Sequence, residues 1–237
     1  MENIIPEENL GNKLNYQILF PSPLPFYEEP KVIVSPHQKR WEDDNGDFTK
    51  ILDYPIDENS QVIELGGYIG EWTEKLVNKF NPKLLIIEPI PKFVNTLKYK
   101  FQDNKKVIVD NSAISTSNKT IQLHVLASST SESIKVSNNK VNAKAYNIEH
   151  FVEKYNLNKI DLIQVNIECE EYPLLLHWIT TDFLKNVRFI QIQFHTFCDD
   201  YEEKYSIISE GLKNLGFEIR YRYDFVWESW ENKNFTK

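Results

Sequence analysis

The chain has 237 residues, and 41% of them are hydrophobic, which is enough to bury one substantial core without disulfides or metal ions. The formal net charge is −8 and the lysines are scattered along the sequence, which argues against a protein that binds nucleic acid. No apolar run approaches the roughly 20 residues that a membrane span needs, and the first residues lack a secretory pattern.

The two cysteines, Cys169 and Cys198, are isolated in the sequence and form no C-x-x-C pair. This spacing argues against a zinc site and against the disulfide scaffold of a secreted protein. We therefore expect a soluble protein that works in the reducing cytoplasm.

Residues 1–58 carry most of the prolines and lack the periodicity of sheet strands. Their aromatic residues Phe20, Phe26, Tyr27 and Trp41 favour an ordered extension that packs over the functional site, and a loose arm is the alternative. Strands and helices alternate from Asn59 onward, which predicts one domain over residues 59–237.

The segment 61–70, Q-V-I-E-L-G-G-Y-I-G, predicts a strand at 61–65, a tight turn, and a helix at 70–80. Glycine reaches unusual backbone angles at low cost and lets a ligand lie against the main chain. We therefore predict that a ligand binds at this turn, which contains Gly66, Gly67 and Gly70.

Two residues of this segment distinguish between possible ligands. Tyr68 stands where the dinucleotide fingerprint G-x-G-x-x-G would have another glycine, which disfavours a pyrophosphate and an NAD-linked dehydrogenase. Glu64 lies before the turn, where it suits the positive amino group of S-adenosylmethionine, a ligand without phosphate. The sequence therefore favours S-adenosylmethionine.

The second predicted strand, L-L-I-I-E-P at 84–89, is apolar on both faces and ends in Glu88. In parallel sheets of this kind, a carboxylate at this strand end binds ribose hydroxyls, and the offset from the first strand is about 20 residues. Here Glu88 follows Glu64 by 24 residues (88 − 64). The alternative is that Glu88 only caps the helix that begins at Pro91.

The remaining pattern predicts a Rossmann-like class I methyltransferase fold. This is an α/β fold with a mostly parallel seven-stranded sheet, helices on both faces, and a carboxyl-terminal antiparallel hairpin. Further strands are expected near 106–110, 162–167, 189–194, 217–223 and 225–230, and further helices near 91–103, 147–156, 171–180 and 200–215. An additional strand, K-T-I-Q-L-H-V-L, precedes a Ser- and Asn-rich segment that reads as an exposed loop.

Residues at the carboxyl ends of the later strands are candidates for the ligand crevice. Asp110 and Asn111 close the third central strand, where they would meet the adenine edge of the donor, and a plain turn is the alternative. Trp227 and Trp230 would line an acceptor pocket or, as we favour, pack the terminal hairpin.

With these segments placed, residues from about 41 to 230 resemble the FkbM family of S-adenosylmethionine-dependent methyltransferases. The resemblance rests on I-E-L-G-G-Y-I-G, I-I-E-P-I-P-K-F, D-N-S-A-I-S, A-S-S-T-S and I-D-L-I-Q-V-N-I-E-C-E-E-Y-P-L-L. It implies S-adenosylmethionine as the cofactor and, from the V-N-I-E form, a branch found with glycan-assembly genes.

This chain departs from the family pattern at the end of the fourth central strand. The family block commonly reads D-x-E-G-x-E, whereas Asn166 and Cys169 here replace the aspartate and the glycine, and Glu168 and Glu171 remain. An amide is a poor metal ligand and a poor base, so a divalent metal is not favoured. Glu168 and His195 together are the remaining candidates for holding an ion.

The expected catalytic residues are Asn166, Glu168 and His195, which close the fourth and fifth central strands. His195 has the pKa range of a general base, although a strand-end histidine bonded to a nearby loop is the alternative. Glu168 would orient His195, bind sugar hydroxyls or act as the base itself, and a helix cap is the alternative.

We expect an O-methyltransferase that acts on a hydroxyl of a nucleotide-sugar or glycan. The alternatives are methylation of a small natural product and an inactive, donor-binding partner in a glycan-assembly complex. The fold alone does not choose between these acceptors.

Replacing the predicted ribose ligand tests the donor site. Glu88→Ala should weaken donor affinity by about 1 to 3 kcal/mol, because charge-assisted hydrogen bonds to the ribose hydroxyls are lost. Isothermal titration calorimetry measures this change, and an unaltered affinity would refute the ribose role.

Overall fold

In a computed structural model, residues 35–126, 129–131 and 140–236 are described. The strands, in chain order, are β1 (Gln61–Leu65), β2 (Lys83–Ile87), β3 (Val107–Asp110), β4 (Ala113–Ile114), β5 (Lys119–Leu126), β6 (Ser129–Ser131), β7 (Lys140–Tyr146), β8 (Ile160–Val165), β9 (Val187–Ile192), β10 (Phe217–Tyr223) and β11 (Trp227–Asn232). The α-helices are α1 (Pro36–Asp43), α2 (Gly46–Thr49), α3 (Glu71–Lys79), α4 (Pro91–Lys100), α5 (Ile148–Tyr155), α6 (Glu171–Trp178) and α7 (Tyr201–Asn214), and a 3₁₀ helix spans Phe183–Asn186.

Seven strands form the main sheet in the order β10-β11-β9-β8-β1-β2-β3. The five strands from β9 to β3 are parallel, and β11 runs antiparallel to both β9 and β10. The predicted mostly parallel sheet with a terminal antiparallel hairpin is therefore confirmed.

Helices cover both faces of this sheet because its central strands are apolar on both sides. Every residue of β8 is buried. Residues of α5, α6 and α7 pack on one face against a set that includes Ile63, Leu65, Leu85 and Ile163. Residues of α1, α3 and α4 pack on the other face against Val62, Leu84, Ile86 and Leu162.

A second sheet, in the order β4-β7-β5-β6, lies between β3 and α5 in the chain. Only β5 was predicted. The sequence hides β4, which has two residues, and β7, whose lysines and asparagine break the apolar pattern. The predicted exposed loop falls mostly outside the described residues, and its part at 129–131 forms β6 instead.

The described end of the predicted extension packs on the main sheet. Trp41, Ile51 and Tyr54 are buried in the cluster on the face covered by α3. The Gln191 side chain donates a hydrogen bond to the Ile51 carbonyl (2.8 Å) and accepts one from Trp72 Nε1 (3.0 Å). The cover over the site stays a prediction because residues 1–34 lie outside the described part of the chain.

The order of the strands places a crevice between β1 and β8. The chain proceeds from β1 to β2 and β3 on one side and later returns to β8 and β9 on the other. A ligand site in an open α/β sheet forms beyond the carboxyl ends of the strands at such a switch point.

Within the described ranges, no helix is long and apolar enough to cross a membrane.

Candidate functional site

A cavity of about 310 Å³ opens at the carboxyl ends of β1, β2 and β8. One wall comes from the glycine turn and the end of β2, a second from the small sheet, and a third from the loop after β8. The lining residues are Gly66, Tyr68, Ile87, Glu88, Pro89, Phe93, Ala113, Ile114, Ser115, Ile121, Leu123, Asn166, Ile167, Glu168 and Glu170.

The glycine turn after β1 has no room for side chains at two positions. Gly66 has φ +86°, and a Cβ there would lie 2.3 Å from the Asn166 carbonyl oxygen. A Cβ on Gly67 would lie 2.4 Å from a methyl carbon of Ile86. Only glycine lets β1 turn into α3 this close to the neighbouring strands.

Tyr68 follows these glycines with φ 47°, an uncommon value for a residue with a side chain. Its ring packs edge-on against Phe93, with ring centroids 4.6 Å apart. Its backbone N–H donates a hydrogen bond to Oε2 of Glu88 (3.1 Å), the acid that follows β2.

Glu88 presents a buried carboxylate to the cavity. It is 4% exposed, and Oε1 accepts a second backbone hydrogen bond from the Ile90 N–H (2.9 Å). Burial raises the pKa of Glu88 to about 7, although the backbone hydrogen bonds favour the ionised form. Each oxygen keeps a free lone pair, so the group can still accept two hydroxyls.

Glu64 lies behind the glycine turn and is 1% exposed. Its Oε2 accepts a hydrogen bond from the Thr73 hydroxyl (2.5 Å). Burial and the nearby charge of Glu88 raise the pKa of Glu64 to about 8. Glu64 is outside the set of lining residues, so its contact with a donor amino group stays a prediction.

Asp110 and Asn111 do not line the cavity. The Asp110 carboxylate accepts hydrogen bonds from Lys154 (2.7 Å) and Tyr155 (2.6 Å), and therefore anchors α5. Burial raises its pKa, but these bonds outweigh burial and leave the pKa below its usual value. The Asn111 amide donates to the carbonyls after β2. Their roles at the adenine edge stay predictions.

The small sheet supplies the lining that the sequence did not reveal. Ala113, Ile114 and Ser115 take the place expected for the end of β3, and Ile121 and Leu123 extend the apolar wall. An apolar wall opposite a buried carboxylate suits a nucleoside, whose base is flat and whose ribose carries hydroxyls. These residues therefore fit an adenosyl group.

Asn166 and Glu168 lie on the β8 side of the cavity. Asn166 Oδ1 is buried and has no hydrogen-bond partner within the part of the chain that the structure describes. A buried polar atom of this kind usually has a partner, which points to a ligand or a water here.

His195 lies between two carboxylates. Its Nδ1 is 3.0 Å from Glu171 Oε1, and its Nε2 is 3.7 Å from Glu168 Oε2. Burial opposes a charge on the ring, but the hydrogen bond to Glu171 and the two negative charges outweigh it, so the pKa of His195 is raised. The structure thus brings together His195 and Glu168, and adds Glu171.

Glu171 was noted in the sequence only as a remaining motif position. Its separation of three residues from Glu168 was the available signal. The residue begins α6 and is fully buried, which a carboxylate at a predicted helix start would not suggest. Trp230 is also fully buried, and neither Trp227 nor Trp230 belongs to the cavity lining.

Comparison with protein families assigns the chain. A model described as the Methyltransferase FkbM domain matches residues 64–219. The chain belongs to this family. The prediction of an FkbM-type, S-adenosylmethionine-dependent methyltransferase domain is therefore confirmed, and the glycine turn, Glu88, Asn166, Glu168 and His195 all lie within the matched range.

The FkbM domain is similar in structure to the methyltransferase FkbM from Methylobacillus flagellatus. The two share 14% identity and a TM-score of 0.51, over 77% of this chain and 45% of that chain. The chain therefore spans less than half the length of that relative. This likeness supports the fold only.

Two other proteins are similar to the FkbM domain, one over a shorter stretch and one with a lower TM-score. A probable ribosomal RNA small subunit methyltransferase A from Methanococcoides burtonii is 36% identical over 72 residues, which are 30% of this chain and 26% of the relative. A fibrillarin structure from Aeropyrum pernix, with natively bound S-adenosyl-L-methionine, shares 12% identity with a TM-score of 0.42, over 76% of this chain and 68% of that chain.

The two cysteines of the FkbM domain are not isolated, which corrects the expectation from sequence. Cys169 and Cys198 form a disulfide with a Cα–Cα distance of 5.8 Å. They are far apart in sequence, but parallel strands β8 and β9 bring the loops that follow them together. The cross-link therefore joins the loop of Glu168 to the loop of His195.

Cys169 also occupies a conformation that suits glycine, the usual residue at this motif position. Its φ is 80°, and that of the preceding Glu168 is 53°. A left-handed conformation costs roughly 1–2 kcal/mol for a residue with a Cβ. The substitution of glycine by cysteine therefore strains the loop that the disulfide fixes.

Among the described residues, no group of three or more His, Cys, Asp or Glu side chains has the arrangement of a metal site. His195 and Glu168 are 3.7 Å apart, which suits an ion pair of these two groups.

Donor binding should depend on pH through the two buried acids. Glu64 and Glu88 have pKa values of about 8 and about 7, and their ionised forms accept hydrogen bonds best. We expect affinity for S-adenosylhomocysteine to increase as pH rises through this window, with protons released on binding. Calorimetry in buffers of different ionisation enthalpy measures both.

Glu64→Gln should remove the upper part of that pH dependence, and the exposed Glu149→Gln is the matched control. An affinity that stays constant across the window would contradict the proposed ionisation of these two acids on binding.

The disulfide and the strain at Cys169 have separable effects on stability. Cys198→Ala and Cys169→Ala should each lower the free energy of unfolding by about 3 to 4 kcal/mol, because the closed loop of 29 residues is released. Cys169→Gly should lower the free energy of unfolding by about 1 kcal/mol less than Cys169→Ala does, because glycine relieves the strain. Urea unfolding under oxidising conditions tests this, and equal losses for all three variants would contradict the strain.

Proposed function

We propose that this chain is an S-adenosylmethionine-dependent O-methyltransferase that acts on a hydroxyl of a sugar, either a nucleotide-activated monosaccharide or a glycan. We further propose that it works in the cytoplasm, a location whose reducing conditions would oppose the Cys169–Cys198 disulfide. The observation that carries the proposal is the placement of His195 between two carboxylates, one of which, Glu168, lines the cavity, although His195 itself is outside the set of lining residues. The acceptor, the catalytic roles and the location are parts of this proposal.

The donor side of the cavity has a distinct role for each group. The bound donor would supply an electrophilic methyl carbon on a positive sulfur. Glu88 would accept the ribose hydroxyls, since its carboxylate lines the cavity and is already oriented by two backbone N–H groups. The bare backbone at Gly66 and Gly67 would lie against the amino acid part, and Glu64 would attract the ammonium group through the turn.

On the acceptor side, His195 is arranged to take a proton. An Nδ1–H group donated to Glu171 leaves the lone pair of Nε2 available on the side of Glu168. When Nε2 accepts the proton of an acceptor hydroxyl, the imidazolium that forms lies between two negative charges. Positioning of the acceptor hydroxyl and removal of its proton would both accelerate methyl transfer.

A sugar suits the surroundings of His195 and Glu168. The ring of Phe197 is 55% exposed, and its centroid lies 5.4 Å from that of His195. An exposed aromatic face packs against the apolar face of a sugar ring. Asn166 Oδ1 and the Glu168 carboxylate would accept sugar hydroxyls, and both line the cavity.

The sequence also allows two alternative functions, and the acceptor test distinguishes both from a sugar methyltransferase. A small natural product would use the same donor site with a different acceptor wall. An inactive donor-binding partner in a glycan-assembly complex would bind the donor and methylate nothing. A methyltransferase domain over 59–237, with an amino-terminal extension packed over the site, is part of the same proposal.

The acceptor is tested directly with purified protein and methyl-labelled donor. Nucleotide-sugars and oligosaccharides should be labelled, whereas phenolic natural products and ribosomal RNA fragments should not. Labelling of RNA or of natural products alone would contradict the sugar acceptor, and no labelling with intact donor binding would favour the inactive partner.

His195→Ala should lower kcat by about 10²- to 10⁴-fold with little change in donor affinity, because general-base catalysis contributes on this scale. His177→Ala, on α6 and away from the cavity lining, is the matched control. Full activity of His195→Ala would overturn the role of the base.

A further inference from the structure

We propose that Glu171 is a positioning residue that orients His195 for proton transfer by binding both its backbone and its ring. This inference rests on the proposed function, because it assigns His195 the role of base. The residue lies on α6, which is a different element from the loop that carries His195.

One oxygen of Glu171 makes both contacts. Oε1 accepts a hydrogen bond from the His195 backbone N–H at 2.8 Å and lies 3.0 Å from Nδ1 of the ring. The Tyr172 hydroxyl donates to the His195 carbonyl at 2.8 Å, so the backbone of His195 is held on both sides. A ring bound at Nδ1 and a backbone bound at N and O leave His195 one orientation.

The burial of Glu171 indicates that its charge has a purpose. The side chain is fully buried, and Oε2 has no hydrogen-bond partner among the residues that the structure describes. A buried carboxylate with an unpaired oxygen is costly for folding. Glutamine would accept the same two hydrogen bonds through its oxygen without the cost of a buried charge. A purely structural role therefore does not explain the acid.

The acid is explained by what it does to the histidine. It fixes the neutral tautomer with the proton on Nδ1, so that the lone pair of Nε2 faces Glu168. After proton transfer it stabilises the imidazolium ring. The titratable groups that act on His195 are Glu171 from α6 and Glu168 from the loop after β8.

The same pair determines the pH dependence of the reaction. A base must be neutral, so kcat/KM should rise as pH increases through the pKa of His195. The two carboxylates hold this pKa above its ordinary value, despite the opposing effect of burial. Removing the charge of Glu171 should therefore move the acidic limb of the profile to lower pH.

Glu171→Gln tests the inference through two measurements on the whole chain. NMR titration of histidine-labelled protein should show the His195 ring with a lower pKa than in the wild type. The kcat should fall at least about tenfold at unchanged donor affinity, because a neutral amide stabilises the imidazolium that forms on proton transfer less than the carboxylate does. Glu149→Gln, an exposed acid on α5, is the matched control and should change neither quantity.

Glu171→Asp keeps the negative charge, and it tests the inference if Glu171→Gln does not fold. Its His195 pKa should stay above the ordinary histidine value while kcat falls, because the shorter side chain displaces the ring. A folded Glu171→Gln with unchanged His195 titration would overturn the inference, as would a Glu171→Asp variant with wild-type titration and wild-type kcat.

The NMR readout needs no acceptor. A shifted titration in Glu171→Gln together with a wild type that methylates no sugar would therefore support the control of His195 by Glu171 and reject the proposed acceptor.

Discussion

The buried carboxylate of Glu88 joins the two parts of the proposed donor site. Its two oxygens accept the N–H groups of Tyr68, on the turn after β1, and of Ile90, on the turn after β2. These bonds hold the glycine turn against the end of β2 and leave the carboxylate facing the cavity. In the proposed function, one nucleoside lies between the ends of the adjacent strands β1 and β2, which this acid connects.

The parallel sheet places the proposed acceptor side next to the proposed donor side. β8 lies next to β1, so that Gly66 approaches the Asn166 carbonyl, and β9 lies next to β8. The loops after β8 and β9 carry Glu168 and His195. A disulfide joins these loops, and Glu171 binds His195 from the helix that follows. Two covalently linked loops and one buried acid thus hold the proposed proton acceptor in one place.

Much of this fold follows from the sequence because parallel strands are apolar on both faces and glycine turns are distinctive. The five central strands, the terminal hairpin and the helices between them were predicted within a few residues. The rule for acids at the end of the second strand of such sheets singled out Glu88, which lines the cavity, and its ribose role stays a prediction. Short-range patterns are sufficient for features of this kind.

The remainder depends on contacts between distant residues, which periodicity does not reveal. Strand β7 pairs with β5, but its lysines conceal it. Cys169 and Cys198 are separated by 29 positions and meet only after β8 and β9 pair. Asp110 ends a strand as expected, but its carboxylate accepts hydrogen bonds from Lys154 and Tyr155 of α5 and does not line the cavity. The burial of Glu171 likewise appears only when α6 packs against the end of β9.

The measurement that tests the central claim most directly is a crystal structure of the chain with S-adenosylhomocysteine. The account predicts the adenosyl group in the cavity, with both ribose hydroxyls on the Glu88 carboxylate and the sulfur directed toward Glu168 and His195. A nucleoside bound elsewhere, or one whose ribose makes no contact with Glu88, would contradict it.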